Sequence, residues 1–414
     1  MRPRSNPLLD RFLRYVQVDT QSQEDSPDFP STAKQLDLSR ILVKELKALG
    51  IKTAKLDKHG YVMASLAGNR PKVPVVGFIA HVDTSPEVSG AGVKPQILTY
   101  KGGDIVLPKD PSAVIRVSEN PQLASEMGRT VVTTDGTTLL GADDKAGVAI
   151  VMALAEALMK DPKMPRGDVK IAFTPDEEVG SGSKFFNLKS FGADMAYTID
   201  GDKAGEINKE TFSADTLLVT VTGRDIHPGS AKDIMVNAAR AACEIVARLP
   251  QDMAPETTEG RQPYIHPYAL EAGVGKAVVK ILLRDFETEG LRALRKRVEA
   301  IVAEVRPLHP KAAIAVEALE SYRNMGPILE KNPLVLEVLE EAVKRAGLEP
   351  RWVPIRGGTD GSRLTAMGLP TPNIWMGGSN AHSKTEWASL YSMEKSLETA
   401  LHLVRLLAEK SGAA

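Results

Sequence analysis

Short apolar runs that end in polar residues alternate with helical stretches near both ends of the chain. Residues 73–83 (VPVVGFIAHVD), 168–178 (DVKIAFTPDEE) and 195–202 (MAYTIDGD) have the length and apolar content of buried strands. Residues 146–160 (AGVAIVMALAEALMK) and 392–410 have the length of helices. Because strands and helices alternate, we predict an α/β layer built on a mainly parallel sheet.

The middle of the chain has a different order of elements and predicts a second domain inserted into the first. Its apolar runs and helical stretches give the order β-α-β-α-β, with room for one more strand near residues 264–272. This order predicts a smaller α+β lid domain of the ferredoxin-like type at residues 212–324. Residues 1–211 and 325–414 are then the two parts of the first domain. Residues 101–130, rich in Pro, Gly and polar groups, are predicted as loops.

The composition is that of a soluble globular protein and argues against several classes of function. Of 414 residues, 43% are hydrophobic and 25% are charged, and the formal net charge is −1. A nucleic-acid or membrane-surface protein would need a basic excess on its binding face, so we expect neither partner. No apolar run reaches transmembrane length, and the cytoplasm is the expected location. Cys243 is the only cysteine, so no internal disulfide can form, and its helical surroundings predict a small buried residue.

The polar residues at the ends of the predicted strands form the candidate functional site. His81, Glu178 and Asp200 fall at such ends, and open α/β sheets bind ligands beyond the carboxyl ends of their strands. Asp143 and Asp144 stand side by side just before an apolar helix, where two carboxylates repel each other. A divalent cation would neutralise that repulsion.

Zinc ions would suit this group of side chains. With His382, from a glycine-rich loop near the end of the chain, the candidates are two imidazoles and three carboxylates. This set suits two Zn²⁺ ions about 3.5–4 Å apart, with Asp143 bridging them. Asp144 is then predicted to cap the following helix. Taken singly, each feature has an ordinary explanation, such as a helix cap for the aspartates and a solvated surface for Glu177 and Glu178; their occurrence together at neighbouring strand ends favours the metal site.

Seven motifs, in order along the chain, resemble those of one known family. They are AHVDT, LLGADDKAG, FTPDEEVGSGS, TIDGD, HPGSAKDIMVNA, RGGTDGS and GGSNAHSKTEW. Together they resemble the di-zinc metallopeptidase family that includes carboxypeptidase G and the aminoacylases, and the resemblance covers nearly the whole chain. It implies a tripeptide aminopeptidase, which would release the N-terminal residue by attack of a metal-bound water on the first peptide carbonyl.

The resemblance also implies the metal ligands. His81 and Asp200 would bind one zinc ion, Glu178 and His382 the other, and Asp143 both. Co²⁺ or Mn²⁺ are expected as substitutes for zinc.

Further roles follow from the same motifs. The resemblance implies that Asp83 orients the His81 imidazole, that Glu177 is the general base, and that His227 donates to the tetrahedral oxyanion. It also implies a cis peptide between Asp143 and the residue after it.

Two arginines and one asparagine are candidates for holding the substrate. Arg284 or Arg356 could bind the far carboxylate of a short peptide in a bidentate fork, which would measure the length of the peptide. Arg284 could equally lie in a surface ion pair. Asn380, next to the metal histidine, is expected to line the pocket, and closure of the lid domain is expected to complete the site.

Two other functions stay open at this point. Within the same family, a dipeptidase, a carboxypeptidase or an N-deacylase would share the fold and the metals and differ in the pocket. A nucleotide-binding protein without activity is the other alternative, since AGVGKAV hints at a phosphate loop, although it lacks the GxxxxGK[ST] spacing. The expected partner is a short peptide with a free N-terminus, and a monomer or a homodimer is expected.

Overall fold

The computed structural model describes residues 6–412, and the chain separates into two units. The first unit extends to Lys209 and also includes Pro327–Val353 and the segment from Thr359 onwards. The second unit is Glu210–Gly326 together with Pro354–Gly358. The domain boundaries expected after residues 211 and 324 stay a prediction.

The helices and strands of both units are numbered in chain order. The strands are β1 (Lys55–Leu56), β2 (Val62–Leu66), β3 (Val76–His81), β4 (Gln96–Thr99), β5 (Ile105–Val106), β6 (Val114–Ile115), β7 (Thr130–Thr133), β8 (Val169–Thr174), β9 (Met195–Gly201), β10 (Glu206–Asn208), β11 (Ser213–Thr222), β12 (Tyr264–Ala272), β13 (Lys276–Asp285), β14 (Ala313–Tyr322), β15 (Arg351–Trp352), β16 (Asn373–Trp375), β17 (Gly378–Ser379) and β18 (Trp387–Ser389). The helices are α1 (Pro7–Tyr15), α2 (Gln35–Ala48), α3 (Ala142–Lys160), α4 (Leu188–Phe191), α5 (Ala238–Arg248), α6 (Thr288–Val305), α7 (Gly326–Leu329), α8 (Pro333–Arg345), α9 (Asp360–Ala366) and α10 (Leu390–Gly412). Within residues 6–412, no helix combines the length and the apolar character needed to cross a membrane.

The main sheet of the first unit brings the predicted ligand strands to one edge. Its strand order is β1-β2-β8-β3-β9-β16-β10-β15, and the four central strands β8, β3, β9 and β16 run parallel. The predicted mainly parallel sheet is confirmed in this centre, while β2 and β10 pair antiparallel to their central neighbours. β3 ends at His81, β8 at Thr174 and β9 at Gly201. Parallel strands end at the same edge, so the residues that follow them are neighbours.

Helix α3 is buried along most of its length against this sheet. It contacts β3 and β9 on the sheet side and α1 and α10 elsewhere, and its side chains from Ala146 to Ala155 are buried. A helix that is apolar all round is typical of a protein interior. The first turn of α3, which carries Asp143, is therefore held by packing on several sides.

The second unit has the predicted order of elements, including the additional strand. β12 runs from Tyr264 to Ala272, which confirms the strand expected near residues 264–272. The order β11-α5-β12-β13-α6-β14 and the all-antiparallel sheet β12-β13-β11-β14 are ferredoxin-like. The AGVGKAV segment forms the turn between β12 and β13, where the amide of Gly273 donates to the carbonyl of Lys276. This segment is a hairpin turn and not a phosphate loop.

Two predictions about local structure are wrong. Residues 101–130 are not only loops, because β5 pairs with β6 there, and the flanking β4 and β7 join β17 and β18 in a small antiparallel sheet. These strands are two to four residues long, too short for an alternating pattern to stand out. Cys243 is exposed and not buried. Helix α5 turns Ala238, Ala242 and Ile245 to the core at helical spacing, and Cys243 falls on the other face.

Gly77 lies in the middle of β3, where glycine is unusual. The ring of Phe191 packs directly over it and leaves no space for a side chain. A Cβ at position 77 would lie 2.6 Å from Phe191 and 3.0 Å from the Cβ of Ala196. Both neighbours are buried, so neither can move away easily.

We predict that Gly77→Ala lowers the free energy of unfolding by about 1–3 kcal/mol, because the added methyl overpacks the sheet. Thermal and denaturant unfolding measure the change. The matched control is Gly412→Ala, at the end of α10, where nothing lies within 4 Å of the added Cβ; it should change stability by no more than about 0.5 kcal/mol. Equal stabilities of the Gly77→Ala variant and the original protein would contradict this account of β3.

Candidate metal centre

The strands, helices and loops of the first unit determine where each predicted metal ligand lies. His81 is the last residue of β3, Asp200 is the last residue but one of β9, and Glu178 lies in the turn after β8. Asp143 stands in the first turn of α3, and His382 lies in the loop between β17 and β18. The structure brings all five side chains together.

The Asp143 carboxylate lies between two imidazoles. Its Oδ1 is 2.9 Å from Nε2 of His81, and its Oδ2 is 3.6 Å from Nε2 of His382. On the first side, Oδ1 of Asp200 lies 3.5 Å from Nε2 of His81. On the second side, Oε2 of Glu178 lies 2.8 Å from Nε2 of His382. The donor atoms therefore form two groups that share one carboxylate.

Asp144 has a different function from Asp143, although its carboxylate also lies close to His81 and Asp200. One oxygen of Asp144 accepts the amide of Gly147 at 3.1 Å, and the other accepts the amide of His81 at 3.1 Å. The first bond confirms the predicted helix cap. The Asp143–Asp144 peptide is cis, as expected. Because both Asp144 oxygens hold backbone amides, Asp143 is the better candidate for a shared ligand.

The electrostatics of the cluster show a shortage of positive charge. Burial alone would lower the pKa of His382, but the carboxylates of Asp143 and Glu178 raise the pKa of His382 to about 11. Burial and the Asp143 charge raise the pKa of Glu178 to about 8. Burial raises the pKa of Asp200 to about 7, against the opposing effect of His81. These carboxyls are driven towards the neutral form because the buried acids outnumber the nearby cations.

The donor set fits divalent metal ions. Imidazole nitrogens and carboxylate oxygens are the ligands that zinc and related ions accept. Oε1 of Glu178 is buried and has no hydrogen-bond partner among the described residues, so it is a polar atom for which the protein provides no partner. A cation among these atoms would supply both the missing charge and the missing partner.

Asp83 contacts both the His81 imidazole and the turn that carries the two glutamates. Its Oδ1 lies 3.3 Å from Nδ1 of His81, and the Asp83 carbonyl lies 3.1 Å from the same nitrogen. The two carboxylate oxygens also accept the amides of Glu177 and Glu178, at 3.0 and 3.1 Å. The contact with His81 is the one the motif implied. The bonds to the glutamate turn were not anticipated.

Glu177 differs from its neighbour in having an unengaged carboxylate. Glu178 faces His382, whereas the side chain of Glu177 has no hydrogen bond or ion pair within the described part of the chain. Burial and the charge of Asp200 raise the pKa of Glu177 well above its usual range. An unengaged carboxylate beside a metal cluster is suited to exchanging protons with bound water or substrate.

Glu386 is a residue of this site that sequence reasoning missed. It is buried, and its carboxylate accepts three backbone amides, from Leu140 and Gly141 at Oε2 and from Asp143 at Oε1, at 2.7–3.0 Å. The available signal was its position four residues after His382. That signal was not decisive, because the partners of Glu386 are backbone amides, and every residue type except proline has one.

Comparisons with known proteins identify the family of the chain. Residues 133–409 match the sequence profile of peptidase family M20/M25/M40. The chain belongs to this family.

Curated relatives match nearly the whole length of this M20/M25/M40 peptidase. Peptidase T of Clostridium botulinum is 42% identical over 405 residues, which cover 97% of this chain and 99% of that protein. Peptidase T of Geobacillus thermodenitrificans is 43% identical over 406 residues, which cover 98% and 99%.

Solved structures share the fold. An aminopeptidase PepT from Bacillus cereus has a TM-score of 0.73 and 22% identity, and a tripeptidase from Staphylococcus aureus has a TM-score of 0.76 and 21% identity. Each comparison covers 97% of this chain and 98% of the other chain. The fold of nearly the whole chain therefore has counterparts in these two structures.

The remaining predicted residues of this M20/M25/M40 peptidase are Asn380 in the first unit and three residues of the second unit. Asn380 precedes His382 in the same loop, where both have positive φ, and its Nδ2 donates to the carbonyl of Thr385 at 3.2 Å. His227, Arg284 and Arg356 belong to the second unit. His227 is exposed, and its Nδ1 accepts the amide of Gly229 at 3.1 Å.

The two arginines of the second unit have different surroundings. Arg356 donates to the carbonyls of Gly260 and Gln262 and to the hydroxyl of Thr258, at 2.8–3.0 Å. Arg284 donates only to the carbonyl of Leu283, at 3.1 Å, and its Nε has no partner among the residues described. The surface ion pair considered for Arg284 is not present within residues 6–412.

For this M20/M25/M40 peptidase we predict that Asp83→Asn lowers both kcat and metal affinity, each by about 10- to 100-fold. The amide nitrogen of asparagine would face a backbone amide or the His81 ring, and one hydrogen bond to the glutamate turn would be lost. Steady-state kinetics and metal titration measure the two effects.

The matched control for this substitution is Asp57→Asn. Asp57 accepts the amides of His59 and Tyr61 with the same oxygen, Oδ1, and asparagine keeps one such oxygen. The control should leave kcat and metal affinity unchanged. If Asp83→Asn behaves like the control, Asp83 does not hold the glutamate turn.

Proposed function

We propose that this protein is a two-metal aminopeptidase that releases the N-terminal residue from tripeptides. The observation that carries the proposal is the Asp143 carboxylate between His81 and His382, with the unengaged Glu177 beside it. Relatives named Peptidase T, which match 97–98% of the chain, support the substrate class. Another amide hydrolase of the family, namely a dipeptidase, a carboxypeptidase or an N-deacylase, is the alternative.

The metal ions would be held by five side chains. His81 and Asp200 would bind one ion, Glu178 and His382 the other, and Asp143 both, with zinc as the proposed metal and Co²⁺ or Mn²⁺ as substitutes. When bound, such ions polarise the substrate carbonyl and lower the pKa of water. Asp83 holds the His81 ring by its Nδ1 and so directs Nε2 towards the cluster.

Glu177 moves the proton in this proposal. Its main chain is fixed because Asp83 accepts the amides of both glutamates, and its carboxylate has no other partner within the described residues. The carboxylate takes a proton from the attacking water and then passes it to the amine nitrogen that leaves. The base is most effective when its pKa lies near the working pH, and burial has already raised the pKa of Glu177.

His227 is proposed to donate a hydrogen bond to the oxyanion that forms at the scissile carbonyl. Because its Nδ1 accepts the amide of Gly229, the proton of the neutral ring is on Nε2. Nε2–H is then a donor whose position is set by the HPG turn. A neutral donor of this kind stabilises developing negative charge without requiring protonation of the ring.

Arg284 is the better candidate for binding the substrate carboxylate. Arg356 already uses its guanidinium to hold residues 258–262, whereas Arg284 makes one hydrogen bond to a neighbouring carbonyl. A guanidinium with unused donors can form the bidentate pair that a peptide carboxylate needs. Asn380 is proposed to line the pocket next to His382.

We expect Leu-Gly-Gly to be hydrolysed to Leu and Gly-Gly, with kcat/KM at least about tenfold above the values for Leu-Gly and for a tetrapeptide. A site built around a fixed carboxylate partner rejects a substrate that leaves that partner unpaired. N-acetylated Leu-Gly-Gly should not be cleaved, and removal of metal by a chelator should abolish turnover until zinc is added back. Faster hydrolysis of the N-acetylated peptide would favour the N-deacylase, and faster hydrolysis of the dipeptide would favour the dipeptidase.

We predict that Glu177→Gln lowers kcat by about 100- to 10,000-fold while metal content stays the same, because glutamine cannot accept the proton. Metal analysis and single-substrate kinetics on the same preparation separate the two quantities. The matched control is Glu304→Gln on the exposed side of α6, where the side chain is 67% exposed; its kinetics should match the original protein. A Glu177→Gln variant that keeps a tenth or more of the original kcat would assign the proton transfer to another group.

A further inference from the structure

Glu386 joins two segments that carry metal ligands and lie far apart in the sequence. It stands four residues after His382, just before β18, and its partners lie in the turn that leads into α3. Its hydrogen bond to Leu140 spans 246 residues of sequence. Glu386 therefore links the loop of His382 to the turn of Asp143.

The chemistry of these bonds requires a carboxylate. Oε2 accepts the amides of Leu140 and Gly141 at 2.8 and 2.7 Å, and Oε1 accepts the amide of Asp143 at 3.0 Å. Backbone amides can only donate, and a carboxylate is the side-chain group that accepts at both of its ends. A glutamine at position 386 would turn an NH₂ group towards at least one backbone N–H.

The bond to Asp143 acts on the shared ligand itself. Glu386 fixes the amide of Asp143, while Asp144, on the other side of the peptide, is fixed by the amides of His81 and Gly147. The peptide that carries the shared carboxylate is thus held from two sides. Only the Glu386 side is connected to the loop of His382.

We propose that Glu386 is a positioning residue that sets the Asp143 carboxylate relative to His382. It thereby controls the affinity of the metal position formed by Asp143, Glu178 and His382. The other position depends on it less, because His81 and Asp200 stand on adjacent strands, β3 and β9, of the central sheet. This inference rests on the two-metal site of the proposed function.

Lys145 provides a fixed cation in the same region. It is fully buried, and its Nζ donates to the carbonyl of Val18 at 2.7 Å. Burial lowers the pKa of Lys145 to about 8, and the charge of Glu386 is among those that oppose this shift.

The test is a zinc titration of metal-free Glu386→Gln protein, together with its thermal unfolding with and without zinc. We expect two ions per chain in the original protein. In the variant, one ion should bind with the original affinity and the other about 10- to 100-fold more weakly. The rise in melting temperature on zinc addition should be correspondingly smaller. A purely structural role predicts instead a lower melting temperature without metal and equal weakening at both positions.

The matched control is Glu126→Gln, another buried glutamate of the same unit. Glu126 accepts the hydroxyl of Ser389 at 2.7 Å, and a hydroxyl can equally accept from an amide. This control should bind both ions as the original protein does. If the glutamine variant at position 386 does not fold, Glu386→Asp keeps two acceptor oxygens on a shorter side chain and should show the same selective weakening.

Two results would overturn the inference. One is a folded Glu386 variant that binds both ions with the original affinities, and the other is equal loss at both positions. An original protein that binds fewer than two ions would instead overturn the two-metal proposal, and the inference with it. The titration of the original protein therefore separates the two failures.

Discussion

The sharing of one carboxylate between two imidazoles is the interaction on which the first unit depends. Asp143 can reach both His81 and His382 because α3 begins at the edge where the central parallel strands end. The same edge also collects Glu178 and Asp200, and with them more negative charge than the neighbouring side chains neutralise. A divalent cation among these acids would supply the positive charge that the imidazoles alone do not provide. The parallel sheet, the buried helix and the charge imbalance are therefore parts of one arrangement.

Two adjacent glutamates at this edge have separate functions because their surroundings differ. Glu178 points at His382, and Glu177 does not take part in any side-chain bond within the described residues. Asp83 receives both of their amides and contacts His81 as well. One buried carboxylate thus fixes the His81 ring of the candidate metal centre and the turn that carries the proposed base. Effects of substitutions at these positions should not be additive, since they share one partner.

Much of the fold could be predicted from the sequence, because the elements that matter are long and strongly apolar. The central strands and α3 are continuous apolar runs. His81, Glu178 and Asp200 lie at or shortly after the ends of strands, and Asp143 lies at the start of α3, so their places in the sequence indicated that they would be neighbours in the fold. The antiparallel sheet built from β4, β7, β17 and β18 was missed, since its strands are two to four residues long and surrounded by polar loops. Cys243 was misassigned because a helical pattern alone does not say which face a small residue occupies.

The sequence indicated which side chains the structure brings together at this edge for a related reason, and Glu386 was missed for the opposite one. Metal ligands are side chains of a few types, mainly His, Asp and Glu, and such residues can be recognised in the sequence when they fall at the ends of predicted strands. Glu386 acts through three backbone amides that any residues could supply. No pattern of residue types records that kind of partner, and only the folded chain reveals it.

The second unit includes a short segment that is distant in sequence from the rest of the unit. Five residues that follow β15, Pro354–Gly358, belong to it together with Glu210–Gly326. One of them, Arg356, donates two hydrogen bonds to the carbonyls of Gly260 and Gln262 and one to the hydroxyl of Thr258. Its guanidinium also lies over the rings of Phe212 and Tyr264. The unit is therefore not a single stretch of chain. A fragment cut at Glu210 and Gly326 would lose the hydrogen bonds of Arg356. A fragment that retains them must also carry residues 354–358.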